Sequence, residues 1–521
     1  MTLKNTILPG VLTCLFLVAG AHGIRADDDD PLNRRIVFSK RKDTVYRLLK
    51  DVTARTGLMF VYDSQVIDND RKTTVPKGEY TLRDAIRVIT RRQDLRIDIV
   101  GNHVLLRLPE KTVDTPTAAV DTARRRNSGY YEISGTLHDL ETKEPIAYAT
   151  VSLVNSSVGT VSNQRGEFRL LAPDSLRQPA VRFSHIGYES LETAADLIAG
   201  RRMDFALEPK VFMLNEIEVR RVNPLAEIGA MLDRRDDNYP VEPTLLTVFY
   251  REGINYGKRP VDVSEAVLEV YKSGYRNDAS ADHARLVRKR HVSNIAKGDT
   301  ILPKMKSGVR SCLILDIMKE LPDFIRIDEG QPYRYAHDNI TAIDDRIVNV
   351  VAFRQVASND EPLFTGELYI DSERKALEEV RFEVNPDYVE KATNFYIDRK
   401  AHNLKLSLKQ ASYIVSYKPS ESSSPYFINH IRGDIVFRVR KKGQLFSSPL
   451  HFWFEMVTCK IDTTDVSAIP RSERLSAGQI FSETQHPYDH DFWDRFNIIL
   501  PEEKLRETLI NSVSEVVVNA N

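Results

Sequence analysis

The sequence predicts an α+β protein, mostly β: a small two-helix module, then a β-sandwich, then a large curved antiparallel sheet domain with few helices. Three observations predict it. Two amphipathic helical patterns stand early in the chain, one after Thr44 and one after Thr81. Short alternating runs bounded by turn residues fill 130–220. Beyond residue 245 longer alternating runs follow one another with few helical interruptions.

The chain has 521 residues, 42% hydrophobic and 28% charged, with a formal net charge of −1. That composition is ordinary for a globular protein and excludes collagen-like, wholly disordered and multi-span membrane classes. Near-zero charge argues against a nucleic-acid partner. Three cysteines, Cys14, Cys312 and Cys459, are too few for a disulfide framework or a Cys-rich zinc site.

Residues 1–23 read as a signal peptide. Lys4 supplies the positive start, Ile7 to Gly20 is almost continuously apolar, and Ala21-His22-Gly23 is a small-x-small cleavage site. The apolar run continues past Cys14 through Leu15-Phe16-Leu17-Val18, so Cys14 does not close it as a lipid-attachment cysteine does. No later stretch approaches the ~18 apolar residues of a membrane span, so no transmembrane helix is expected in the mature chain. In an oxidising compartment Cys312 and Cys459 could pair, and the sequence leaves that open.

Residues 31–110 form the first module. Thr44 and Thr81 are each placed to cap a helix. Val45, Leu48, Leu49 and Val52, and then Leu82, Ala85, Ile86 and Ile89, follow at helical spacing. Ile36-Val37-Phe38 and Leu58 to Tyr62 read as strands. Leu95 to Ile99, Gly101-Asn102 and His103 to Leu108 read as a hairpin. The order is β-α-β-β-α-β-β. This pattern resembles the secretin and TonB short N-terminal domain, a resemblance that implies a periplasmic module docking an envelope protein partner through residues 31–110. The module carries 17 Lys/Arg and 10 Asp/Glu, a net of +7 suited to an acidic partner or simply to solvation. Residues 111–129, rich in Thr, Ala, Asp and Arg without apolar period, form a linker.

Residues 130–220 read as a small antiparallel sandwich, with strands at Tyr131–Leu137, Ala149–Leu153, Gly166–Leu170, Ala180–Ser184 and Met203–Leu207. Four pieces in order carry a resemblance: Ile133-Ser134-Gly135-Thr136-Leu137-x-Asp139; Pro145-Ile146-x-x-Ala149-Thr150-Val151-x-Leu153; Gly159-Thr160-x-Ser162-Asn163-x-x-Gly166-x-Phe168; and Phe183-Ser184-His185-Ile186-Gly187-Tyr188. They resemble the carboxypeptidase-regulatory-like, transthyretin-like domain, with Leu214 to Val219 similar to its exit strand. Asn163 stands where that family usually has Asp and should serve the same turn. The resemblance implies a non-catalytic module. His138 and Glu141 spell H-x-x-E, a zinc-ligand spacing, but straddle a strand end and a turn, so the match reads as chance.

Residues 221–521 form the β-rich C-terminal domain. Asn223-Pro224 opens a helix with Leu225, Ile228 and Leu232 on one face, reaching about Arg235. A second helix is predicted over 311–321. Strands are predicted at 245–252, 263–271, 347–353, 366–371, 377–384, 413–417, 433–439 and 450–457. The hairpin around Tyr369-Ile370-Asp371, with Ala392–Tyr396, Tyr413–Tyr417 and Tyr426–Val439, resembles LolA-like lipoprotein-carrier folds in strand order. That implies a concave apolar face for a small molecule or peptide, although a face filled by the chain itself is the commoner outcome.

Catalytic patterns are weak. Gly253 to Arg259 has three residues between its glycines and Arg259 where a phosphate loop needs Ser or Thr. Glu252, Asp262, Glu265 and Glu269 invite a glycosidase reading, but alternation scatters such acids over a solvated face. His486 and His490, with Asp489 and Asp491, have metal-like spacing beside Pro487 in a polar loop, and Phe492 and Trp493 are aromatic anchors. No catalytic residue, metal ligand or cofactor is therefore assigned. The expectation is a non-enzymatic exported envelope protein of the Bacteroidetes type. It would act as an interaction scaffold at the periplasmic face of the outer membrane, linked to TonB-dependent transport or signalling. The alternatives are a periplasmic lipid or peptide carrier, a TonB-dependent receptor-related protein and an envelope hydrolase of unfamiliar geometry. About 300 residues after Val219 are too few for a plug and a 22-stranded barrel.

Overall fold

The computed structural model describes most of residues 30–501, with 110–128, 211–221, 294–303 and 485–491 among the stretches left out. The segment read as a signal peptide, nearly all of the expected linker, residues 214–219 read as an exit strand, and the group His486, Asp489, His490 and Asp491 thus lie outside the described residues.

The first module runs β1 (Arg35–Phe38), β2 (Arg41–Thr44), α1 (Val45–Thr56), β3 (Met59–Tyr62), β4 (Lys72–Val75), β5 (Gly78–Thr81), α2 (Leu82–Thr90), β6 (Arg96–Val100) and β7 (His103–Arg107). Both helices start where the threonines put them. Thr44 Oγ1 accepts from Arg47 N at 3.3 Å, and Thr81 Oγ1 from Asp84 N at 3.1 Å. Gly57, at φ 72°, ends α1 in a left-handed turn that glycine adopts without strain. Two more short strands are present than the apolar pattern foretells. The β2 and β5 sequences RKDT and GEYT pair in two-stranded ribbons and offer no alternating apolar signal.

The sandwich contains β8 (Tyr130–Asp139), β9 (Thr150–Leu153), β10 (Gly159–Val161), β11 (Glu167–Pro173), β12 (Ala180–Ser184), β13 (Leu191–Ala194), α3 (Ala195–Ile198) and β14 (Arg202–Leu207). Its sheets are ordered β11-β8-β14 and β10-β9-β12-β13. Phe168, Phe183 and Phe205 meet between them, with ring centroids 4.7 to 6.2 Å apart. The expected all-antiparallel pairing fails at one place. The chain leaves β13, crosses through α3 and enters β14 parallel to β8.

The C-terminal part begins with α4 (Pro224–Asp233) and α5 (Arg235–Asn238). Asn223 Oδ1 caps α4 by accepting from Leu225 N and Ala226 N. Its buried face is Glu227, Ile228 and Met231, whereas Leu225 is exposed, so the predicted stripe is rotated by about one residue. Then come β15 (Thr244–Tyr256), β16 (Arg259–Lys272), β17 (His283–Ser293), β18 (Lys304–Met305), α6 (Gly308–Ile314), β19 (Tyr333–Ile343), β20 (Arg346–Gln355), β21 (Phe364–Asp371), β22 (Leu377–Val384), β23 (Ile397–Arg399), β24 (Leu404–Pro419), β25 (Tyr426–Lys441) and β26 (Ser448–Asp462). The helix predicted over 311–321 starts earlier and stops at Ile314, and just beyond it Asp316 turns inward to meet the buried Lys272. Ala392–Tyr396 belongs to a 3-10 turn rather than to the sheet series. Ten strands form one antiparallel sheet ordered β17-β16-β15-β26-β25-β24-β22-β21-β20-β19.

One face of this sheet, here the inner face, is filled by the chain's own groups. Phe324 stacks on Phe353 at 4.4 Å and meets Phe382 at 5.2 Å, and Phe382 stacks on Tyr413 at 5.1 Å. Cys312, Ile317 and Met318 join the same cluster. The face that could have held apolar cargo is thus occupied.

The outer face is covered twice. The sandwich contributes Val161, and a C-terminal strap, residues 492–500, contributes Trp493, Ile498 and Ile499 to a cluster with Phe249, Val267, Val457 and Cys459. The strap also binds the sandwich. Asn497 Oδ1 accepts from Leu171 N at 2.6 Å and its Nδ2 donates to Leu171 O at 3.3 Å, imitating a neighbouring strand at the free edge of β11. Asn163 keeps its expected turn role, accepting from Arg165 N and Glu167 N at 2.9 Å. Its Nδ2 also donates to Leu500 O at 3.1 Å, which an aspartate could not do. Asn163→Asp should therefore keep the turn, lose the strap contact and set a second carboxylate beside Glu167. The expected cost is roughly 1–2 kcal/mol in urea unfolding, with faster proteolysis within 492–500.

Candidate functional site at the sandwich–sheet junction

Five strands of the large sheet each place one charged residue on the outer face, at directly opposed positions. Arg290 faces Glu265, Glu265 faces Arg251, Arg251 faces Glu455, and Glu455 faces Arg432. The result is a row alternating in sign across β17, β16, β15, β26 and β25. Arg251 Nε donates to Glu265 Oε1 at 2.5 Å and Nη1 to Glu455 Oε1 at 3.1 Å; Arg432 Nη1 donates to Glu455 Oε2 at 3.2 Å. Arg290 closes the row on Glu265. Arg432 also grips Asp434 with two 2.8 Å bonds, and His451 meets that carboxylate at 2.8 Å. Arg251, Glu265, Arg432 and Glu455 are all buried.

Burial works to raise the Glu265 carboxyl, and the flanking Arg290 and Arg251 outweigh it, holding the group below its usual range. The strap seals the row. Arg251 donates to Ile499 O, and the Arg290 guanidinium lies 4.5 Å from the Trp493 ring. On the sandwich side, Tyr148 stacks on His430 at 4.9 Å and Asn429 Nδ2 donates to Thr150 Oγ1 at 3.0 Å.

The four acids read as glycosidase candidates separate. Glu265 and Glu269 face outward, Glu252 and Asp262 inward, so they do not form one pair across a cleft. Nor is the face solvated as expected, since Glu252 and Glu265 are buried. Glu252 Oε2 accepts from Tyr250 at 2.6 Å, and α6 presses so close that a Cβ on Gly308 would stand 2.1 Å from the Tyr250 hydroxyl. Burial pushes the Glu252 carboxyl up to about 7, helped by Asp262 and opposed by the Tyr250 hydrogen bond.

A second buried network pins the inner filling. Lys272 Nζ lies 2.6 Å from both Asp282 and Asp316, Lys319 Nζ donates to Asp282 at 2.6 Å, and Tyr417 donates to Asp316 at 2.9 Å. Burial opposes the Lys272 charge, but the two aspartates hold its ammonium above the usual range.

The other sequence candidates are dispersed. His138 Nδ1 meets Asp204 at 3.0 Å, while Glu141 lies in the following turn. Gly253 to Arg259 forms a hairpin in which Gly253 lies against Trp453 and Gly257 turns at φ 62°. Cys312 and Cys459 are unpaired and belong to the clusters on opposite faces of the sheet. Among the described residues no three metal-ligating side chains converge, and no helix is long and apolar enough to cross a membrane.

Residues 133–219 match the family model of the CarboxypepD_reg-like domain. That domain is the sandwich, and the match spans all four motif pieces and the segment Leu214–Val219. No curated protein matches the chain. Solved structures overlap it loosely. A Vibrio parahaemolyticus domain described as an outer membrane lipoprotein-sorting protein is 11% identical, covers 47% of this chain and 95% of its own, and has a TM-score of 0.20. Lipovitellin is 8% identical over 44% of this chain and 26% of its own, TM-score 0.21. A Cyanothece 9R-lipoxygenase is 8% identical over 43% and 47%, TM-score 0.13. Likenesses this loose carry no argument about function.

Two predictions follow from the charges. Glu455→Gln should cost about 3–5 kcal/mol in denaturant unfolding, since it leaves Arg251 and Arg432 buried with weakened partners. The raised Glu252 carboxyl stabilises the fold fully below its unfolded value near 4.5, and this is lost as pH rises through about 7. Stability should therefore fall by roughly 2–3 kcal/mol from pH 5 to pH 8 through this group, and Glu252→Gln should flatten the slope in pH-dependent urea titrations.

Proposed function

We propose that this is a non-catalytic exported envelope protein: a rigid scaffold that presents its N-terminal module to a partner at the periplasmic face of the outer membrane. The single observation that carries this reading is the occupied inner face. A sheet filled by its own Phe324, Phe353, Phe382 and Tyr413 serves as a support rather than as a container for apolar cargo.

The first module is set on this support through the sandwich. Val61 and Leu105 enter the sandwich core, Tyr46 donates to Glu208 at 2.7 Å, Lys50 pairs with Glu208 and Glu189, and His103 meets Glu192 O at 3.2 Å. What remains outward is basic, including the exposed Arg35, Arg47 and Arg55, and Arg55 Nη1 donates at 2.9 Å to the carbonyl of Val37, which is 66% exposed. The resemblance to the secretin and TonB short N-terminal domain supports the same reading, as does the pattern of an export signal.

The test is site-specific photo-cross-linking in intact cells. A photoreactive phenylalanine analogue replaces either Val37 in the first module or Phe395 in the C-terminal part, each 66% exposed. The expected result is a protein adduct at position 37 that weakens at high salt, and none at position 395. An adduct at position 395 alone would overturn the assignment of the docking end.

A further inference from the structure

The sandwich does not sit flush on the large sheet. Between β9 and β12 on one side, and the ends of the β19–β20, β21–β22 and β24–β25 hairpins on the other, lies a cleft of about 340 Å³. Antiparallel order brings the ends of β19, β21 and β24 to the same end of the sheet, and the sandwich roofs them. The volume falls at the lower end of the range of about 300–1,000 Å³ for small-molecule sites, and junctions between domains are a usual place for them.

The charges lining the cleft mostly answer one another. Arg182 pairs with Glu192, Arg346 with Asp371 and Glu378, and Glu379 with Arg381. Lys418 differs. It lies partly buried at the end of β24, and no hydrogen bond or ion pair joins its ammonium to any described residue. Gly159 of the sandwich makes room for it, since a Cβ there would stand 2.9 Å from Lys418 Nζ. Burial pushes this ammonium down to about 8, against weaker opposing effects of Cys459 and Asp344. The Asp344 carboxylate, on the same cleft wall, acts on it through space without a hydrogen bond, and a half-enclosed cation is normally ion-paired. Around it the wall sets Ile186 and Ile343 beside the hydroxyls of Ser152, Ser184 and Ser416.

We propose that this cleft binds a small organic carboxylate, its anionic end on the Lys418 ammonium and a body of short apolar and amide or hydroxyl groups along the β9–β12 wall. The size and mixed lining fit a molecule like a blocked dipeptide with a free C-terminal carboxylate. This site is separate from the docking end of the first module and stands or falls independently of it.

The test is calorimetric titration of the full chain at pH 7 with three probes: N-acetyl-Ala-Ala, its C-terminal amide, and inorganic phosphate. The expected result is saturable one-to-one binding of the carboxylate, weakened at least tenfold in the amide and in Lys418→Met. That variant removes an unpaired charge, so its thermal midpoint should equal or exceed that of the wild type. No binding of N-acetyl-Ala-Ala at millimolar concentration, binding of phosphate alone, or equal binding by Lys418→Met would each overturn the proposal. A second measurement needs no substitution: in lysine-labelled protein followed by NMR, the Lys418 titration midpoint should move upward by half a unit or more when N-acetyl-Ala-Ala is added. An unmoved midpoint contradicts the proposal.

Discussion

The row Arg290–Glu265–Arg251–Glu455–Arg432 is the constraint on which the arrangement of this molecule depends. Charges of one sign placed opposite each other on adjacent strands repel, and charges buried singly are expensive to desolvate. Alternation across five strands removes both problems, but only in one register. A slip of one residue at any of the four pairings would turn a charged side chain onto the apolar inner face. The row therefore specifies the order and alignment of half the sheet more than it adds net stability.

The row also explains why the outer face is covered. Left open to water, five alternating charges would be solvated and individually weak. Sealed by Trp493, Ile499 and the sandwich, they become a low-dielectric network whose remaining donor, on Arg251, is satisfied by a strap carbonyl. The strap in turn closes the free edge of β11 through Asn497 and holds the sandwich turn through Asn163. Sheet, strap and sandwich are thus tied by interactions that each need the other two. The Lys272–Asp282–Asp316–Lys319 network does the same for the inner filling, so both faces carry fixed loads.

Much of this was legible in the residues and some was not, for identifiable reasons. Threonine caps and helical spacing placed α1 and α2, and four short motifs placed the sandwich, because these signals are local. The central strands showed themselves through apolar alternation. The edge strands β17 and β19 did not: HARLVRKRHVS and YRYAHDNITAI are polar on the side that meets solvent, as exposed sheet edges tend to be. The charge row left a trace that was not followed. Glu455 interrupts an otherwise apolar run and Arg251 closes one, and a charge inside a central strand asks for a buried partner. Which partner it finds is a matter of register, and register is fixed by pairings far apart in sequence. Lys418 was invisible for the same reason, since its surroundings come from Gly159 and from three separate hairpins.

On this account the molecule is a support built from mutually dependent parts, with its first module carried at one end. The most direct test is differential scanning calorimetry of the full chain, analysed for how many cooperative units melt. The account predicts that the sandwich and the ten-stranded sheet unfold in one transition. The sandwich melting by itself, in a resolved transition below that of the sheet, would contradict it.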